Sequence, residues 1–313
     1  MSRAGDGNGG IIGVNNPTSA RPPTDSNGGG ASGLWNINDI LLANQRTEWP
    51  RYLKWDVTAT GGTETVISDP TSPTGFSKVH TFTGAGTFDV TVAPPSATVQ
   101  YLVVAGGGAA GNNVSFPPTG YARFGGGGGA GGYRTGSAPV TVSAYPVVVG
   151  SGGSFPGSSG SPSSALSVTS TGGGKGGNSY YFPPSFSPTI PAQPGTPGGS
   201  GGGGGGGGPS PTFGGTGIPG QGFAGGGAPT GTVNLDFGGA GGGAGAIGAS
   251  GSPGPGVGGA GVTSSFNGSP VTYANGGPSD GSANPTNYGA GGARSSSGRN
   301  GIVIIKYYGG FGV

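Results

Sequence analysis

In a chain of 313 residues, 82 Gly and 29 Pro stand beside a net charge of only +2, from 12 basic and 10 acidic side chains. Cations so few and so scattered exclude a phosphate-binding surface for nucleic acid or a patch for anionic lipid, and the absence of Cys excludes disulfides, thiolate metal sites and cysteine nucleophiles. Glycine and proline at this level usually mark disorder, yet disordered chains stay soluble through charge, and only 7% of these residues carry one.

No apolar run approaches the ~20 residues that a membrane-spanning helix needs, and residues 1–10 lack the apolar stretch of a signal peptide, so neither membrane insertion nor secretion is expected. Residues 1–33 read as an extended N-terminal arm, because Asn15-Asn16-Pro17, Arg21-Pro22-Pro23 and Gly28-Gly29-Gly30 favour turns and polyproline geometry. Residues 34–55 read as a helical anchor module. There Leu34, Ile37, Ile40, Leu41 and Asn44 recur at helical spacing, Asn36 or Asn38 is available as N-cap, and Pro50 ends the helix. A helix of about three turns is marginal alone in water. Leu34, Trp35, Ile37, Leu41 and Trp49 are therefore expected to pack it against its own β-framework, a second copy or another protein.

Residues 56–100 read as a β-strand region. Residues 87–92 alternate polar and apolar as a half-buried strand does, and residues 78–83 are their expected hairpin partner across Gly84-Ala85-Gly86. Residues 99–105 and 302–307 are apolar on both faces and are expected to pair in one sheet, since either left open would be an aggregation segment. Together they close a glycine-rich domain over 101–308, followed by a tail at 309–313. Within the domain, strands are expected at 139–143, 145–150, 165–169 and 269–274, between glycine tracts such as 125–132, 172–177, 198–208, 238–245 and 289–292.

Fixing one residue's backbone costs ~1–2 kcal/mol and more for glycine, so ordering 201–208 costs on the order of ten kcal/mol. A backbone hydrogen bond contributes ~0.5–1.5 kcal/mol net. A glycine tract is thus ordered only where both backbone groups of each residue are bonded and several tracts pack together. Glycine allows this, because extended helices with three residues per turn and ~3.1 Å rise pack on all sides when no Cβ intervenes; Ala130 and Ala244 would fit at the rim. Collagen is not expected, since Gly225-Gly226-Gly227-Ala228-Pro229-Thr230 breaks its every-third pattern. The expected fold is mainly β: a small β-sheet or sandwich framework with a polyglycine II-rich body and one short N-terminal helix.

Catalytic chemistry is not visible. Gly172-Gly173-Gly174-Lys175-Gly176 lacks the Ser or Thr and the strand-to-helix setting of a phosphate loop. His80 is the only histidine and lies in a strand pattern, which makes it structural; Asp56, Glu64, Asp69, Asp89, Asp236 and Asp280 are isolated in sequence. The chain is expected to be non-enzymatic, with no cofactor and no metal. Three polar-aromatic inserts are candidate contact loops: 112–124 with Phe116, Tyr121 and Phe124; 178–194 with Tyr180, Tyr181, Phe182 and Phe186; and 284–288 with Tyr288. Their other reading is capping of the glycine body or filling of a subunit interface.

The frame His80-Thr81-Phe82-Thr83-Gly84-Ala85-Gly86-Thr87-Phe88, then Tyr101-Leu102-Val103-Val104-Ala105-Gly106-Gly107-Gly108, Gly128-Gly129-Ala130-Gly131-Gly132-Tyr133-Arg134 and Gly301-Ile302-Val303-Ile304-Ile305-Lys306-Tyr307, closely resembles the glycine-rich domain of phage tail fibres and related bacterial surface proteins. The resemblance covers residues 78–308. It implies tracts packed as a sandwich of polyglycine II helices, with variable loops exposed to the host surface. The segment from Gly10 to Pro50 is similar to an N-terminal module of marine phage structural proteins, without the long shaft of an adhesin tip. A virion protein is thus implied, made in the bacterial cytoplasm and released in the particle. Its expected role is a tail-fibre or adhesin component, a homotrimer joined to other virion proteins through its N-terminus and recognising a host surface glycan or outer-membrane protein. The other reading is a purely structural head fibre, decoration or collar protein.

Overall fold

The computed structural model describes residues 53–55, 57–116, 121–179, 191–230, 235–252 and 254–311. The expected N-terminal helix, with Leu34, Trp35, Ile37, Leu41 and Trp49, lies outside them, and no helix occurs among the described residues. The chain divides into two units, 1–55 with 309–313, and 56–308. In the first, β1 (Leu53–Trp55) pairs antiparallel with residues 309–311, Leu53 opposite Phe311.

The second unit opens with β2 (Thr58–Thr60), β3 (Thr63–Ser68), β4 (Phe76–Phe82), β5 (Gly86–Val92) and β6 (Thr98–Val104). Further strands interrupt the glycine-rich stretch: β7 (Val114–Phe116), β8 (Tyr121–Arg123), β9 (Tyr133–Pro139), β10 (Ser143–Val147), β11 (Ser163–Ala165), β12 (Val168–Ser170), β13 (Leu235–Asp236), β14 (Val262–Ser264) and β15 (Val271–Tyr273). Last comes β16 (Ile302–Phe311), which inserts between β4 and β6 in an antiparallel sheet of order β3-β4-β16-β6-β9. Ile302 faces Val104 and Ile305 faces Tyr101 in the β16–β6 register. A second sheet, β10-β5-β2, packs on one face of the first through Phe88 of β5, whose ring lies 5.1 Å from His80 and 6.4 Å from Tyr307. On the other face Val79, Leu102, Val104, Ile302 and Ile304 form a core with Ala130, Tyr273 and Ala274.

β4 and β5 are not the hairpin expected across Gly84-Ala85-Gly86. β4 pairs with β3 and β16, whereas β5 pairs with β10 and β2 in the facing sheet. Burial explains the difference: Val79, His80 and Phe82 put both faces of β4 in the interior, so it needs a strand on each side, while β5 buries only Phe88 and Val90. The expected strand at 165–169 is likewise corrected. Leu166 and Ser167, with φ of 53° and 63°, form the turn between β11 and β12.

Between the strands, extended tracts bond to one another with a period of three. The N–H groups of Gly126, Gly129 and Gly132 donate to the carbonyls of Gly177, Gly174 and Thr171; those of Gly127 and Ala130 to Gly239 and Gly242; those of Gly128 and Gly131 to Gly292 and Gly289. The carbonyls of this tract accept in turn from Gly111, Gly108 and Ala105, from Gly203 and Ser200, and from Gly277. Six tracts therefore surround 126–132, with donor and acceptor rows alternating around it. Tracts 105–111, 200–206 and 239–244 are enclosed in the same manner among the described residues. The spacing tolerates no side chain at most of these positions: a Cβ on Gly128 would collide with the Gly108 carbonyl, and one on Gly203 with that of Gly239. Alanine is not confined to the rim, however. Ala109, Ala110, Ala130 and Ala240 are wholly buried, and Ala130 packs where the tracts meet the strand core.

The tracts have two ends. At the strand end they continue directly into the sheet, as at Val104–Ala105, Gly132–Tyr133 and Gly301–Ile302. At the far end, about six residues away, they turn or give way to inserts; at ~3.1 Å per residue that traverse is nearly 20 Å.

Candidate functional site

The far end gathers segments distant in sequence. β7 and β8 pair antiparallel, with Phe116 opposite Tyr121, and β13 adds in parallel to β8, bringing 235–236 beside 122–123. Asn112 and Asn113 lock this insert to others. The Asn112 N–H donates to Asn178 Oδ1 at 2.8 Å, the Ser179 N–H donates to the Asn112 carbonyl at 3.0 Å, and Asn113 Nδ2 donates to Ser295 Oγ at 2.6 Å. Asn178 Nδ2 in turn donates to Gln193 Oε1 at 3.1 Å, which pins both flanks of the 178–194 insert to the same place. Short polar side chains do this work because they reach the last backbone groups of each tract, which no further tract can satisfy.

Beneath lies an aromatic stack. The Phe124 ring is 5.2 Å from that of Phe237, and the Arg294 guanidinium sits 3.8 Å above Phe124. Such a pairing satisfies the ring faces and holds the cation at the mouth of the tract bundle. Asp280 accepts from the Ser282 N–H at 2.8 Å in the turn that leads away from this end.

The expected contact residues divide accordingly. Phe124 is only 6% exposed, its ring packed against Phe237 and Arg294. Phe116 and Tyr121 are in register at the far end. Tyr180, Tyr181, Phe182 and Phe186 lie outside the described residues. Tyr288 is exposed but belongs to the strand end, where its carbonyl accepts from the Ala274 N–H at 2.9 Å. Arg294 and Phe237 were not singled out by sequence reasoning; only their place beside a glycine tract and an insert hinted at them.

His80, Asp69, Tyr273, Lys306 and Tyr307 are buried in the strand framework. His80 is fully buried, with Nδ1–H donating to the Gly61 carbonyl at 2.8 Å and Nε2 accepting from the Tyr307 hydroxyl at 3.0 Å. Burial pushes the imidazole below its ordinary value, against the Gly61 carbonyl and the Glu64 carboxylate. Burial likewise pushes the Tyr307 hydroxyl up, and that of Tyr273 up to about 12. Asp69 and Lys306, isolated in sequence, form a buried ion pair. Burial raises the Asp69 carboxyl, but the Lys306 ammonium and the Thr71 and Ser77 hydroxyls outweigh it and hold the group well below the carboxylate range. Among the described residues no group of three His, Cys, Asp or Glu is placed to hold a metal ion, and no helix is long and apolar enough to cross a membrane.

Two packed sheets whose connections are threefold glycine tracts define a class of protein in which the backbone itself is the packing material. The model of the family described as "Glycine-rich domain" matches residues 81–308, and the chain belongs to that family. No curated protein matches the chain.

Proposed function

We propose that this chain is a virion structural protein of a bacteriophage, a tail-fibre or adhesin component that presents its far-end inserts to the host surface. The reading rests on the resemblance set out above and on one observation: residues 112–116, 121–124, 178–179, 191–194, 235–237 and 280–284 converge at the end of the tracts remote from the two packed sheets. The body between is, in this reading, a polyglycine II lattice, and its period-of-three bonding supports that name. A lattice of this kind is a stiff pedestal, since its inner tracts, 126–132 among them, are held by others on all sides. Loops on such a base present asparagine, arginine and aromatic groups at little entropic cost. The partner would be a glycan or protein of the host envelope, and the N-terminal 55 residues would join the chain to the particle.

Purified protein, added to host cells before phage, is expected to compete for receptors and lower adsorption in proportion to occupancy. Unchanged adsorption at saturating protein rejects the proposal. Replacing Asn113 and Arg294 together is expected to weaken competition while leaving the strand core folded.

A further inference from the structure

The glycine lattice has an unfinished edge. In tract 221–228 the N–H groups of Phe223 and Gly226 donate to Gly243 and Ala240, and those of Gly225 and Ala228 donate to Gly215 and Thr212. Its carbonyls at Phe223 and Gly226 accept from Gly201 and Gly204, and those at Ala224 and Gly227 from Gly248 and Gly251. Tracts 212–218, 200–206, 239–244 and 246–251 thus follow one another around it. The alternation of rows seen around 126–132 leaves two adjacent positions open. The position beside 212–218 is bounded by the carbonyls of Gly222 and Gly225 on one tract and the N–H groups of Gly214 and Gly217 on the other. None of these four groups has a partner among the described residues, and all four residues are half-buried rather than sealed.

This groove is one tract wide. Its strand end opens into a cleft of about 640 Å³ lined by Tyr133, Gly217, Pro219, Gly222, Phe223 and Ile247. Phe213, Phe223 and Ile247 leave 74%, 45% and 66% of their surface exposed along the same edge. No residue in 191–230 or 237–279 is charged.

We propose that this groove binds a single extended, uncharged, glycine- and proline-rich segment of a partner polypeptide, which enters as one further tract of the lattice. A chain with three residues per turn would place one N–H in three toward Gly222 and Gly225 and one carbonyl in three toward Gly214 and Gly217. The remaining positions are free to be proline, which adopts this geometry without cost and packs on Tyr133 and Phe223. A charged partner finds no counter-charge here, and a folded surface is too broad for a one-tract groove. The inference is independent of the role assigned to the far end.

The test uses the full chain and a fluorescein-labelled, end-blocked nonapeptide of repeating Gly-Pro-Pro, which keeps one N–H every third residue. Saturable binding is expected, with the Gly214 and Gly217 amides exchanging at least tenfold more slowly. Phe223→Ser is expected to weaken binding about tenfold, the loss of ~1.4 kcal/mol. Val142→Ser, at an exposed valine in the turn between β9 and β10, is expected to leave it unchanged. A nonaproline peptide has the same shape and no N–H, and should bind far more weakly. Equal binding of nonaproline, protection of other amides only, or no binding overturns the proposal. So does sedimentation showing a dimer that the peptide splits, because the occupant is then a second copy.

Discussion

The ammonium of Lys306 lies 2.8 Å from Asp69 Oδ2, with both side chains more than nine-tenths buried. The pair joins the central strand β16 to the loop after β3, and Phe266 covers the ammonium at 5.1 Å. Ser77 and Thr71 satisfy the remaining carboxylate lone pairs at 2.7 and 2.6 Å. A buried pair so completely bonded is worth little against a hydrophobic replacement, but breaking it strands a charge.

Lys306→Met alone is therefore expected to destabilise the chain by about 3–5 kcal/mol, and Asp69→Asn with Lys306→Met by distinctly less. Urea unfolding of the three proteins measures both numbers. Equal losses in the single and double variants would show that the charges are not what matters.

The pH dependence has two separate windows. His80 has a folded value below its ordinary one, so between that value and ~6.5 the unfolded chain binds the extra proton. Its contribution is complete above pH ~6.5 and is lost as pH falls below it. Asp69 is also depressed, so its contribution is present above ~3.9 and is lost only in stronger acid. Melting temperatures from pH 8 to 5 should fall, and a His80→Gln variant should show a flatter profile across the same range.

Glycine substitutions should split by position. Gly128→Ala drives a methyl group into the Gly108 carbonyl in the lattice interior and is expected to cost more than about 3 kcal/mol. Gly84→Ala meets nothing within 4 Å and is expected to stabilise by ~0.4–1 kcal/mol through the unfolded chain. Denaturation midpoints of the two variants should move in opposite directions.

Hydrogen exchange tests the lattice itself. The amides of Gly126 to Gly132 are all bonded to other tracts and should be among the slowest in the chain, whereas those of Ala224 and Gly227, which bond to nothing among the described residues, should exchange quickly. Fast exchange throughout 126–132 would mean that the tracts are not ordered in solution.

Much of the framework could be read from the residues alone. The apolar stretches at 99–105 and 302–307 announced interior strands because nothing else tolerates such surface, and period-two alternation announced β5. The partners of β4 and β5 were not legible, since alternation states which face is buried but not which sheet buries it. The glycine tracts demanded mutual bonding on energetic grounds. Their order was beyond reading, because Gly128 and Gly203 offer identical chemistry and only the packed whole decides that one donates to Gly292 and the other to Gly127. At the far end, Asn112 and Asn113 were visible as part of a polar insert. Their ties to Asn178 and Ser295 were not, since those partners lie 66 and 182 residues away.

The place of β16 between β4 and β6 sets the order in which the sheet can be finished. While the chain is being translated, the middle of the main sheet stays vacant until residues 302–307 leave the ribosome, so Val79 and Leu102 have no strand between them while residues 105–301 are made. Contacts this remote in sequence make for slow maturation and a nascent chain with exposed apolar edges. A premature stop codon ahead of Ile302 should accordingly yield aggregated polypeptide in place of a shortened but folded one.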